Sequence, residues 1–91
     1  MKKIYKFYWD CGRMGELEGL FIADSKDVKQ IIGHEIYFGE VLGKHSEIYG
    51  ELKKGDLTVK TDDQDFIAKF IVIFGEGTIS GYNPFDYYEP E

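Results

Sequence analysis

The stretch that most narrows the folds open to this chain is residues 35–49, Glu35-Ile36-Tyr37-Phe38-Gly39-Glu40-Val41-Leu42-Gly43-Lys44-His45-Ser46-Glu47-Ile48-Tyr49. Two short runs of β-branched and aromatic residues flank a polar corner, which is the pattern of a hairpin. Ile36, Phe38 and Glu40 share one face of the first arm, and Tyr37, Gly39 and Val41 the other; on the second arm Ile48, Gly50 and Leu52 oppose Glu47, Tyr49 and Glu51. The corner falls within Leu42 to Ser46, with Gly43 free to take a left-handed φ. A lone hairpin is marginal in water, so the rest of the chain must cover its apolar side. The turn Lys53-Lys54-Gly55-Asp56 leads into Leu57-Thr58-Val59-Lys60. This predicts a three-stranded meander with Leu57 and Val59 beside Ile48 and Leu52.

The earlier chain supplies two more strands. From Lys3 to Trp9, Tyr5, Phe7 and Trp9 alternate with Ile4, Lys6 and Tyr8, as in a half-buried strand. Asp10 to Gly15 is a glycine-containing turn, and Leu17 to Ala23 is the antiparallel return. Asp24-Ser25 offers an N-cap to a helix of about two turns carrying Val28, Ile31 and Ile32 and ending at Gly33. Thr61-Asp62-Asp63-Gln64 has the spacing of a capping box. It precedes an apolar stripe at Phe66, Ile67, Phe70, Ile71, Ile73 and Phe74 that stops at Gly75 or Gly77. Phe70 to Phe74 also suits a buried strand, but the cap and Ala68-Lys69 favour a helix. The tail from Gly81 is not helical, and its aromatics are too many for it to hang free. The predicted fold is α+β: one domain over residues 1–91, an antiparallel sheet of about five strands with two helices packed on one face.

Composition narrows the function classes. Aromatic residues make up 16% of the 91 residues, so a compact core is reachable without disulfides. A single cysteine, Cys11, excludes an internal disulfide and suits a reducing, cytoplasmic setting. No apolar run reaches the length of a membrane span. The net charge of −6 is unevenly placed: ten acids balance ten Lys and Arg residues up to Thr61. The last third holds Asp62, Asp63, Asp65, Glu76, Asp86, Glu89 and Glu91 against Lys69 alone. Such a surface repels nucleic acid and anionic membrane; any charged partner is basic.

No catalytic or metal-binding motif is complete. Gly39 to Ser46 is one residue short of a phosphate-binding loop, has His45 where Ser or Thr is needed, and sits in a hairpin. Cys11, His34 and His45 lack paired ligand spacing, and Asp62 to Asp65 do not match a calcium loop, so neither metal nor cofactor is expected. His34 reads as a helix C-cap. His45, between Lys44 and Ser46, is the most enzyme-like residue, with Cys11 or Ser46 as conceivable nucleophiles, but nothing brings them together. The candidate binding residues are therefore on loops: Asp10 and Arg13, Lys44 and His45, and Tyr82, Asn83, Asp86, Tyr87 and Tyr88.

Three phrases, Trp9 to Phe21, Tyr37 to Gly50 and Gly81 to Glu89, resemble small uncharacterised accessory proteins of bacteriophages and mobile elements. The resemblance spans most of the chain and carries no catalytic residues. It implies a short cytoplasmic product that binds and inhibits a host or defence protein. The expected function is thus a non-enzymatic interaction module whose acidic last third meets a basic protein surface, in sharper form by imitating DNA phosphates. The aromatic edge is compatible with a homodimer. The alternatives are a small-ligand or nucleotide binder with Arg13 and Lys44 on the anion, and a hydrolase built on His45.

Overall fold

Lys2–Asp10 forms β1 and Glu16–Asp24 forms β2, joined by a 3-10 turn at Gly12–Met14. They pair antiparallel along their whole length, from Lys2 opposite Asp24 to Asp10 opposite Glu16. The alternation in the sequence becomes two-sidedness here: Tyr5 and Phe7 are buried on one face, Ile4 and Ile22 on the other. In this computed structural model residues 1–89 are described; Pro90 and Glu91, one of the acids counted above, lie outside the described residues.

The α+β class read from the sequence holds, with the strands divided between two sheets. β3 (Glu35–Gly39) and β4 (Ile48–Glu51) pair only with each other, as a ribbon. β5 (Leu57–Thr61) and β6 (Thr78–Gly81) flank the first hairpin in the order β5-β1-β2-β6. The expected meander does not form, because β5 pairs with β1 rather than β4. A side-chain anchor accounts for the redirection. Asp56 Oδ2 accepts hydrogen bonds from Trp9 Nε1 and from the Lys53 amide, both at 2.8 Å, pinning the 54–56 turn to β1. At the ribbon's corner the left-handed residue is His45, with φ 67°, and not Gly43.

The helices lie on opposite faces of the four-stranded sheet, not on one. α1 (Ser25–Ile31), capped by the Asp24 carboxylate accepting from the Lys26 amide, buries Val28 and Ile31 in the main core. That core also holds Tyr5, Phe7, Leu17, Phe21, Ile36, Phe38, Ile48 and Leu52. α2 (Gln64–Phe74) covers a small second cluster of Ile4, Ile22 and Ile67. Residues 70–74 are helical, and the cap is Asp63, whose Oδ1 accepts from the Phe66 amide at 3.1 Å. Gln64 does not close the expected box on Thr61; its Nε2 donates to the Lys2 carbonyl at 2.8 Å and ties the helix to β1.

The last strand depends on two glycines. A Cβ on Gly19 would stand 2.0 Å from the Tyr82 carbonyl oxygen, and one on Gly81 (φ +66°) 2.2 Å from that of Glu18. Only hydrogen at both positions lets β2 and β6 approach so closely. Beyond β6 the chain makes one 3-10 turn, Pro84–Tyr87, and lies on the body as its aromatic content predicts: Phe85 packs edge-on to Phe21 and Tyr87 against Phe38. Among the described residues, no helix is long and apolar enough to cross a membrane.

A candidate protein-interaction groove

The ribbon's alternation sends Ile36, Phe38 and Ile48 into the core and leaves Glu35, Tyr37, Glu47, Tyr49 and Glu51 outside. Register then places Glu35 directly opposite Glu51, and Tyr37 opposite Tyr49 with ring centroids 6.2 Å apart, stacked. The stacked tyrosine pair stabilises the ribbon, whereas like charges face to face cost stability, so it is the Glu35–Glu51 pair that fold stability does not explain. Desolvation and the neighbouring Glu47 and Glu40 carboxylates raise the Tyr37 phenol above its ordinary value. Tyr8, in turn, is raised by desolvation and by Glu16, Asp10 and Glu18. Both phenols therefore sit in a negative field and stay protonated at neutral pH.

Next to this face runs an open groove of about 600 Å3. Consecutive residues of each flanking segment line it, five from Glu47 to Glu51 and four from Tyr8 to Cys11, so strand edges and not faces form its walls. Neither edge has a strand partner there: β4 pairs only with β3, and β1 pairs with β5 no further than Phe7, beyond which the 54–56 turn lies against it. Trp9 is half-buried in the groove wall, close to Gly50 and held by its bond to Asp56. Asp10, Glu47, Glu51 and Asp56 also line the groove, with Lys53 as its single cation. None of these five takes part in an ion pair among the described residues.

Asp10 lines the groove, with its Oδ1 accepting from the Gly12 amide, and Arg13 is exposed on the adjoining turn. Lys44 and His45 are exposed at the ribbon's corner, which approaches that turn: Leu42 lies 3.8 Å from where a Cβ on Gly15 would be. The tail residues serve mainly to hold the tail. Asn83 is buried, accepting from the Phe85 amide and donating to Thr78 Oγ1; Tyr82 and Tyr87 pack on Phe38; Tyr88 meets His34 edge-on. Asp86 is exposed and accepts from Thr78 Oγ1 at 2.8 Å. The Cys11 thiol is raised by burial and by Asp10, so it is a poor nucleophile at neutral pH.

The described acids of the last third stand at the two ends of α2 and on the tail. Asp62, Asp63 and Asp65 stand at the start of α2, Asp63 as its cap, while Glu76, beyond the other end, is neutralised by Lys2 at 2.7 Å. A further unpaired acidic surface is on the ribbon; among the described residues Asp62, Asp63, Asp65, Asp86 and Glu89 are likewise exposed and outside any ion pair. The ribbon's signal in the sequence is the two-residue repeat of Glu47, Tyr49 and Glu51. A second unusual surface belongs to α2, where Val72 and Ile73 are 85% and 70% exposed. Compared with known protein families, curated proteins and solved structures, the chain matches none.

Proposed function

We propose that this protein is a non-enzymatic interaction module that holds an extended, basic segment of a partner protein in the groove between β1 and β4. The observation that carries this reading is the coincidence of two unpaired strand edges with four carboxylates. Free edges offer backbone amides and carbonyls to an added strand, and alternate Lys or Arg side chains of that strand meet Asp10, Glu47, Glu51 and Asp56. Trp9 and Tyr49 supply aromatic surface to the same cations. Covering a basic surface excludes its usual ligand, so the module acts as an inhibitor of a basic host or defence protein, in the reducing compartment that a single free thiol suits.

An alternating Lys/Val peptide and its Glu/Val counterpart test this by calorimetry. The Lys peptide is expected to bind and the Glu peptide not. The double reversal Glu47→Lys and Glu51→Lys, at exposed positions, should weaken binding at least tenfold, roughly 1.4 kcal/mol. Raising salt from about 0.05 to 0.5 M should weaken it as well. Binding that ignores both salt and the reversal would rule the reading out.

A further inference from the structure

β5 borders a second concavity whose chemistry is the reverse of the first. Because β5 pairs with β1 and not with β4, Leu57 and Val59 border an open part of the core face, beside α1. Together with Tyr5, Val28 and Ile32 they form the apolar lining of a depression of about 380 Å3, within the size range of small-molecule sites. Three lysines also line it, Lys3, Lys29 and Lys54, one from each of three separate elements, and no carboxylate does. None of the three takes part in an ion pair among the described residues. Outside the lining, the Asp24 carboxylate accepts from the Lys26 amide and the N-terminal ammonium. In a chain with 17 acids and 11 Lys and Arg residues, such a lining departs from the bulk composition.

From this we infer a binding site for a small amphiphilic anion, a free molecule with an apolar body and one carboxylate or phosphate head. The body displaces water from Leu57, Val59 and Ile32, where burial is favourable without further contacts. The head lies among three ammonium groups that attract an anion and repel a cation. Membrane lipid is not the source, since the chain's net charge of −6 opposes approach to an anionic bilayer. A second copy meeting this depression two-fold is disfavoured as well, because the lysine lining has no acidic counterpart within itself. This site is independent of the groove between β1 and β4.

Laurate, used below its micelle-forming concentration, is the probe, with dodecyltrimethylammonium as its cationic counterpart. Laurate is expected to raise the melting temperature and to shift the methyl resonances of Val28, Ile32, Leu57 and Val59. The double variant Lys29→Glu and Lys54→Glu, at exposed positions, should bind it at least about tenfold more weakly. Val72→Asp should bind it unchanged, which separates this site from the exposed face of α2. The inference is overturned if laurate does not bind, if the ammonium surfactant binds as well, or if charge reversal leaves the affinity unaltered. Shifts mapping to Val72 and Ile73 would overturn it too, as would dimerisation driven by the probe, or capture of the protein by phosphatidic acid vesicles with no response to free laurate.

Discussion

The two faces of the four-stranded sheet are built to different standards. On one, α1, the ribbon and the tail enclose a continuous cluster that includes Phe7, Phe21, Leu17 and Ile36, all fully buried. On the other, α2 covers Ile4 and Ile22 but buries only Ile67 of its own residues, leaving Phe66, Val72, Ile73 and Phe74 exposed. Both helices carry enough apolar residues to pack; only α1 uses its own fully. The contrast teaches that apolar content does not measure what a helix contributes to a core. The well-packed face holds the fold together, and the binding surfaces proposed above lie where its covering elements stop short, at the free edge of β4 and beside β5.

This contrast can be broken at graded cost. Phe7→Ala removes a fully buried ring that touches Trp9 and Phe38, and should cost about 3–5 kcal/mol in chemical denaturation. Ile67→Ala, on the other face, should cost about 2–3 kcal/mol, since its surroundings are a smaller cluster open to solvent at its margins. A loss at Ile67 as large as that of Ile36→Ala, a matched deletion in the main core, would mean that the faces are equally consolidated. Val72→Asp with Ile73→Asp should change stability by less than about 0.5 kcal/mol, because neither side chain is covered. A large loss there would show that α2's outer face is covered in solution.

The smallest effect concerns the junction between the faces. Asp24 has its carboxyl lowered chiefly by the Lys26 amide, and further by the N-terminal ammonium. A depressed folded-state pKa stabilises the protein above the unfolded carboxylate value near pH 4, and the contribution is lost as pH falls through the lower folded value. Asp24→Asn should therefore flatten the acid limb of the stability profile below about pH 4. An unchanged slope would mean that the cap does not contribute.

Much of the fold was legible in local pattern. The two-residue repeat of Tyr5, Phe7 and Trp9 is a strand repeat, and the apolar spacing from Phe66 to Phe74 behind an acidic cap is a helix repeat, even across the β-branched run Ile71-Val72-Ile73. The inward set of the ribbon, Ile36, Phe38 and Ile48, followed from the same parity. Of the candidate site, Asp10 was found as a loop acid and Glu47, Tyr49 and Glu51 as an outward face, but not as parts of one groove.

What escaped the sequence was decided by partners distant in the chain. Alternation states which side chains share a face and is silent on which strand lies alongside. The bond from Trp9 to Asp56, 47 residues apart, holds the turn before β5 at β1, and the outer edge of β4 is left without a partner. Charge behaves in the same way: order along the chain places the acidic excess after Thr61, whereas only the folded chain joins Glu76 to Lys2 and sets Glu35 opposite Glu51. Local propensity is a property of neighbouring residues and is written in their order. Strand partners and ion pairs depend on distances that exist only once the chain has folded.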